Sequence, residues 1–159
     1  MLFRSGTGVD DVVEVTRALR EQGLLSTVDR LGEDVHTAAD ADATVADYLE
    51  LLRRLADAGL TDSVEVSVKL SAVGQGLPDG HQGSLQRARA ICERAAEVGT
   101  TVTLDMEDHT TTDATLQTAA ELRRDFPGVA VVLQAYLRRT PEDRSEEHTS
   151  ELQSRVDIS

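Results

Sequence analysis

Four polar side chains stand where apolar, strand-like runs end in this sequence: Asp29, Lys69, Asp105 and Gln134. A lysine ammonium is a compact charge with a movable pKa, a carboxylate can orient it or keep it charged, and an amide both donates and accepts hydrogen bonds. In α/β folds, ligands bind at the carboxyl ends of parallel strands. These residues therefore predict a site where the ends of neighbouring strands meet.

Lys69 gives the strongest indication of chemistry. It is the only lysine among 16 basic residues, and it lies near the end of the alternating run at 64–70. Charged residues usually avoid strand interiors, so its position favours a function. Neighbouring strands lie about 4.8 Å apart, and Lys69 could therefore pair directly with Asp105. A buried structural ion pair is the alternative interpretation.

Hydrophobic periodicity places these residues on alternating helices and strands. Strands are predicted at 24–30, 64–70, 101–106 and 129–135, and the first of them follows a helix. Another helix is predicted at 43–59, where Thr44 begins a capping-box pattern, and a further one at 84–98. Strands that alternate with helices indicate βαβ units and a parallel sheet.

The second and third strands each have one apolar and one polar face. Successive side chains of a strand point to opposite faces, so Val66 and Leu104 belong to one face and Glu65, Ser67 and Thr103 to the other. An apolar outer face under helices and a polar inner face describe a barrel wall. The sequence thus predicts an α/β fold, a partial (βα)8 TIM-type barrel with about the first four βα units and a preceding helix.

Composition limits the class of protein further. The chain has 159 residues, enough for one domain, and a formal net charge of −13 that argues against a nucleic-acid partner. No apolar run reaches membrane-spanning length and no signal peptide is recognisable, so we expect a cytoplasmic protein. The single Cys92 excludes an internal disulfide and falls on an apolar helical stripe, which favours a packed thiol.

The two ends of the chain are predicted to be foreign to the protein. Residues 144–154 match the translation of a widely used sequencing-library adapter, and residues 2–5 match the same adapter read in the opposite strand. We therefore assign residues 6–143 to the barrel domain. Residues 1–5 and 144–159 are expected to be adapter-derived and disordered or irregular.

Three segments together resemble the flavin-dependent proline dehydrogenases: VSVKLSA at 66–72, VTLDMEDHT at 102–110 and VVLQAYLRR at 131–139. The resemblance covers nearly all of residues 6–143 and about the first half of that family's barrel. It implies oxidation of L-proline to Δ1-pyrroline-5-carboxylate, with FAD as the cofactor and a quinone as the electron acceptor. It also implies peripheral contact with the inner membrane.

Residue roles follow from the same resemblance. It implies that Lys69 binds the substrate near the proline carboxylate and that Asp105 is the catalytic aspartate at the mouth of the site. Met106 and Gln134 would contact the flavin. The arginines with which the family binds flavin and the proline carboxylate would lie beyond Asp143.

Two alternatives stay open. Asp105 and Glu107 share a strand face and could ligate a metal, which would make the protein a metal-dependent barrel enzyme. The chain could also be an inactive half-barrel without catalysis. Because four strands leave open sheet edges, we expect the chain alone to bind FAD poorly and to associate through an edge.

Overall fold

The computed structural model describes residues 8–32 and 34–151, with side chains described up to residue 145. Five helices and four strands alternate along this part of the chain: α1 (Val9–Glu21), β1 (Ser26–Asp29), α2 (Ala38–Asp57), β2 (Val64–Lys69), α3 (Gly80–Val98), β3 (Val102–Asp105), α4 (Thr112–Arg123), β4 (Ala130–Val131) and α5 (Thr140–Glu151). A short 3-10 helix, Ser71–Val73, follows β2.

The strands form one parallel sheet in the order β1-β2-β3-β4. Sequential parallel strands joined by helices are the repeating unit of a (βα) barrel, and the predicted fold class is confirmed. The hydrophobic core lies between the sheet and the helices that connect its strands. Its fully buried members include Leu52, Leu55, Val66, Ile91 and Leu104.

Two helices begin earlier than the sequence pattern suggested. We expected a helix from residue 43, with Thr44 as part of a capping box. The structure instead begins α2 at Ala38, because the Thr37 hydroxyl accepts a hydrogen bond from the backbone N–H of Asp40 at 3.1 Å. Thr44 lies inside the helix and donates to the Asp40 carbonyl at 3.1 Å. Similarly, α3 begins at Gly80 and not near residue 84.

The fourth strand is much shorter than expected. Regular pairing with β3 covers only Ala130 and Val131, followed by one further backbone hydrogen bond from the Val132 N–H to the Leu104 carbonyl at 2.9 Å. We had predicted a strand through residue 135. The chain turns away after Val132, and therefore Gln134 lies in the segment between β4 and α5.

The predicted domain boundary at Asp143 falls within α5. Residues 144–151, which we expected to be irregular, have a helical backbone. Arg139 supports the start of this helix through ion pairs with Asp143, at 2.8 Å, and with Asp113 of α4, at 2.5 Å. The predicted adapter residues 1–5 and 152–159 lie outside the described residues. The adapter origin of the two ends stays a prediction.

Candidate active site at the carboxyl ends of the strands

The register of the sheet brings the predicted site residues to one edge. Lys69 is paired with Asp105 across β2 and β3, and Asp29 is paired with Ser67 across β1 and β2. Because all strands run in the same direction, their carboxyl ends meet at a single rim. The structure therefore places Asp29, Lys69 and Asp105 together, as the sequence suggested.

Lys69 forms its described ion pair with Asp29. Its Nζ lies 2.5 Å from Oδ2 of that residue, and the two side chains are 14% and 31% exposed. We had considered a direct pair between Lys69 and Asp105. Asp105 instead accepts the backbone N–H of Met106 with its own Oδ1 at 3.0 Å. The lysine reaches towards β1, and Asp29, which the sequence placed at this rim without a role, is the residue that pairs with it.

A second link joins the segments that follow β2 and β3. Oε2 of Glu107 accepts the backbone N–H of Ser71 at 3.1 Å, and Oε1 accepts the Ser71 hydroxyl at 2.5 Å. Since Lys69 is paired with Asp105, continuing the same register by two residues sets Ser71 beside Glu107. The pairing of Ser71 with Glu107 follows from the strand register, whereas the sequence had suggested Glu107 only as a possible metal ligand.

This link bears on the metal-site alternative. Both carboxylate oxygens of Glu107 already accept hydrogen bonds from Ser71, and one oxygen of Asp105 accepts its own neighbour's N–H. Within residues 8–32 and 34–151, no group of three or more His, Cys, Asp or Glu side chains could hold a metal ion. The geometry gives the metal-dependent alternative no support.

Gln134 is fixed by the backbone that follows β3. Its Nε2 donates to the carbonyl oxygens of Met106, at 3.2 Å, and Glu107, at 3.1 Å. Turning the amide over would set its oxygen against two carbonyl oxygens, so these bonds determine its orientation. The remaining Oε1 is buried and has no hydrogen-bond partner among the described residues. The Oε1 atom of Gln134 is therefore available to accept a hydrogen bond, whereas its Nε2 already donates to two backbone carbonyls.

Met106 contributes to this arrangement through its backbone. Its carbonyl accepts from Gln134 and its N–H donates to Asp105, while its side chain is 5% exposed. The predicted contact between Met106 and a flavin stays a prediction.

Tyr48 on α2 contacts the carboxyl-terminal half of β2 from the helix layer. Its hydroxyl donates to the carbonyl of Ser67 at 2.6 Å and accepts the backbone N–H of Arg30 at 3.4 Å. Burial raises the pKa of the Tyr48 phenol well above its usual value, because the phenolate would lose its hydration. Tyr48 falls within the helix predicted at 43–59, for which no polar role was expected. Hydrophobic periodicity indicates which residues are buried and does not identify their hydrogen-bond partners.

These features define a class of protein: an α/β chain with part of a parallel barrel and a rim that carries a lysine, carboxylates and a glutamine acceptor. Comparison with known proteins makes the assignment more specific. The family profile described as proline dehydrogenase matches residues 12–158, which extends past the boundary that we predicted at Asp143. The chain belongs to the proline dehydrogenase family.

Individual relatives agree with this assignment. The chain is 36% identical over 146 residues to a proline dehydrogenase of Deinococcus radiodurans, covering 90% of this chain and 46% of that protein. It is 30% identical over 141 residues to proline dehydrogenase 1 of Bacillus subtilis strain 168, covering 89% of this chain and 45% of that protein. The chain thus spans about half the length of the curated relatives it matches.

The fold has a close counterpart among solved structures. Proline utilization A from Bdellovibrio bacteriovorus, inactivated by N-propargylglycine, superimposes with a TM-score of 0.86 at 27% identity. The match covers 95% of this chain and 18% of that protein. The described architecture is therefore also found within a much longer chain.

Proposed function

We propose that this chain is the first half of a flavin-dependent proline dehydrogenase. Such an enzyme oxidises L-proline to Δ1-pyrroline-5-carboxylate and passes the electrons through FAD to a quinone. The observation that carries the proposal is the common position of Lys69, Asp105 and Gln134 at the carboxyl rim of a chain in this family. Because the chain spans about half of its relatives, catalysis is proposed for the longer protein.

The hydrogen-bond state of Gln134 fits a flavin. An isoalloxazine ring presents an N–H group along with its carbonyl oxygens, and Gln134 Oε1 is a buried acceptor without a described partner. Its Nε2 is held by the carbonyls of Met106 and Glu107, so the acceptor is already oriented. When bound, the flavin would supply the chemistry of hydride acceptance.

Lys69 supplies the positive charge at this rim. Oxidation of proline removes a hydride from a ring carbon and a proton from the ring nitrogen, so no nucleophilic side chain is needed. The Lys69 ammonium would bind the substrate carboxylate and stabilise negative charge near it. Asp29, whose Oδ2 lies 2.5 Å from the lysine Nζ, limits the movement of this side chain. Asp105, as the catalytic aspartate, would stand beside Lys69 at the mouth of the site.

The proposed electron acceptor, location and membrane contact are inferred only from the family to which the chain belongs. A quinone acceptor, a cytoplasmic location and peripheral contact with the inner membrane are proposed by analogy with related enzymes. Among the described helices, none combines the length and the apolar character that a bilayer crossing requires. The chain alone, with its four-stranded sheet, is proposed to lack turnover.

A chimaeric enzyme tests the proposal. Residues 6–143 would replace the matching segment of the Deinococcus radiodurans proline dehydrogenase. We expect a yellow protein that retains FAD and reduces a dye only when proline is added. Lys69→Ala should lower the rate by about 100-fold, because a positioned charge at the reacting centre is removed. Gln134→Leu should lower the bound FAD, measured by its absorbance after gel filtration.

Gln86→Lys is the matched control, because this position on α3 is exposed and is not one of the predicted site residues. It should leave both FAD content and turnover unchanged. A folded chimaera that binds FAD and does not oxidise proline would contradict the proposal, as would full activity in the Lys69→Ala variant.

A further inference from the structure

A serine at the rim contacts three of the segments that follow the strands. Ser71 begins the 3-10 helix after β2, two residues beyond Lys69. Its backbone N–H donates to Oε2 of Glu107 at 3.1 Å, and its hydroxyl donates to Oε1 of the same carboxylate at 2.5 Å. Its hydroxyl oxygen also accepts the backbone N–H of Asp34 at 3.4 Å. Ser71 therefore joins the segments that follow β1, β2 and β3.

The contact between Ser71 and Glu107 is made at two points. A serine hydroxyl has one proton to donate and two lone pairs that accept. The proton goes to Glu107, and the second carboxylate oxygen of Glu107 holds the Ser71 backbone, so the direction of the hydroxyl is fixed. One lone pair then receives the Asp34 N–H. Because the oxidation of proline needs no nucleophilic side chain, these bonds have a holding role.

The backbone of Asp34 indicates that the segment after β1 needs such support. Its φ is 52°, in the left-handed region that residues with a side chain seldom adopt. Backbone conformations of this kind persist where surrounding contacts hold them. The contacts along this segment include the Ser71 hydroxyl on Asp34 and, nearer to β1, the Tyr48 hydroxyl on the Arg30 N–H at 3.4 Å.

We propose that Ser71 is a positioning residue, which fastens the segment after β1 to those after β2 and β3 and so shapes the mouth of the site where proline binds. It acts through Asp34 and Glu107 and does not touch the reacting atoms. The substrate part of this inference rests on the proposed function. The contact itself does not, since all three segments belong to the described part of the chain.

Loss of the Ser71 hydroxyl should affect substrate binding more than hydride transfer. Lys69 keeps its ion pair with Asp29, and Gln134 keeps its two backbone acceptors, because neither contact involves Ser71. The segment after β1 would instead occupy several conformations. When only a fraction of the molecules is competent to bind, the apparent affinity falls by that fraction. We therefore expect the KM for proline to rise while kcat and FAD content stay near their original values.

Hydrogen exchange of the Asp34 amide tests the contact without any activity measurement. In the 159-residue chain, Ser71→Ala should speed this exchange by at least about threefold, because the N–H loses its acceptor. Ser71→Thr keeps a hydroxyl and should keep the slow exchange. Ser26→Ala is the matched control, since it removes a serine hydroxyl at the amino end of β1. Unchanged exchange in Ser71→Ala would overturn the proposal.

Asp34→Asn tests whether the backbone or the side chain of Asp34 is held. Asparagine tolerates the left-handed conformation as aspartate does, and the variant keeps the backbone N–H that Ser71 accepts. The exchange at residue 34 should therefore stay slow. Exchange as fast as in Ser71→Ala would overturn the proposal, because the aspartate carboxylate would then be the group that holds the segment.

Kinetics in the chimaeric enzyme described above test the role in substrate binding. Ser71→Ala should raise the KM for proline by at least about fivefold, with kcat and FAD content within about twofold of the parent chimaera. Ser71→Thr should restore the KM. A role confined to folding would instead lower FAD content and stability and leave the KM of the remaining enzyme unchanged. That pattern, or a fall in kcat without a change in KM, would overturn the proposal.

The two measurements separate this inference from the proposed function. A parent chimaera that folds and binds FAD without oxidising proline would overturn the proposed function, and the substrate role of Ser71 with it. An active parent chimaera whose KM is unchanged in Ser71→Ala would overturn only the positioning role. Faster Asp34 exchange together with a raised KM, both reversed by Ser71→Thr, is the result that supports the inference.

Discussion

The two faces of the four-stranded sheet differ in what completes them. On the outer face, Val66, Val68 and Leu104 are fully buried beneath the helices. On the inner face, Glu65 accepts hydrogen bonds from the Thr27 hydroxyl, at 2.8 Å, and the Thr103 hydroxyl, at 3.1 Å. The outer face is therefore packed by this chain alone. The inner face is polar, and the hydrogen bonds of Glu65 are formed with residues of the same sheet.

This difference separates stability from function along the same strands. Residues that alternate in sequence serve the core on one side and the prospective interior on the other. Strand β3 shows the division clearly, since Leu104 packs outward whereas its neighbours Thr103 and Asp105 face the inner side and the rim. A substitution on the outer face should therefore lower the free energy of unfolding strongly. A substitution of the adjacent residue, on the inner face, should lower it much less.

The largest effect is expected from the outer face. Leu104→Ala should lower the free energy of unfolding by about 2–5 kcal/mol, because it removes buried methyl groups and leaves a cavity. Thr103→Ala, one residue earlier, loses a single hydrogen bond to Glu65 and should cost about 1 kcal/mol. Urea unfolding followed by circular dichroism measures both. Equal losses would contradict the division between the two faces.

A smaller loss of stability is expected from changing Tyr48, which contacts the carboxyl-terminal half of β2 from the helix layer. Tyr48→Phe removes the hydroxyl that donates to the Ser67 carbonyl at 2.6 Å and leaves that carbonyl without this donor. The expected loss is about 1–3 kcal/mol. Tyr136→Phe is the matched control, because its ring is 76% exposed and the change should leave stability within about 0.5 kcal/mol.

Alkaline pH provides a second measurement on Tyr48. Burial raises the pKa of its phenol, so above about pH 10 the unfolded chain releases a proton that the folded chain keeps. The unfolded state then binds fewer protons, and the free energy of unfolding falls by up to about 1.4 kcal/mol per pH unit. Tyr48→Phe should remove this slope, and Tyr136→Phe should keep it.

Cys92 would add a similar slope. Burial raises the pKa of this thiol to about 12, so it also keeps its proton in the folded chain when the unfolded chain has lost it. The tyrosine comparison is therefore made in a Cys92→Ala background. If Tyr48→Phe leaves the alkaline slope unchanged there, the phenol is not protected by burial as the structure indicates.

The sequence was informative wherever a regular period determined the outcome. Alternation on β2 and β3 predicted which residues face the helices, and the order of elements predicted the parallel sheet and the rim. The predicted start of α2 was wrong because the sequence contains two capping patterns that lie seven residues apart. Thr37 caps the helix, while Thr44 is 1% exposed and belongs to its interior.

The details of the rim required three-dimensional information. Whether Lys69 pairs with Asp29 or Asp105 depends on side-chain rotamers and on competing hydrogen bonds, such as that from the Met106 N–H to Asp105. The alternation of apolar and polar residues along a strand predicts neither the side-chain rotamers nor the competing hydrogen bonds. The orientation of the Gln134 amide likewise depends on two carbonyls that lie far from it in sequence.

The smallest effect is expected from Glu65→Gln on the inner face. The amide oxygen can still accept from one threonine hydroxyl, and the new amide can donate to the other, because a hydroxyl serves as donor or acceptor. The free energy of unfolding should therefore change by no more than about 0.5 kcal/mol. Glu65→Leu, which removes both acceptors, is the comparison and should cost more. A large loss in Glu65→Gln would mean that the inner face needs the carboxylate charge itself, and the two faces would then contribute to folding more equally than their packing indicates.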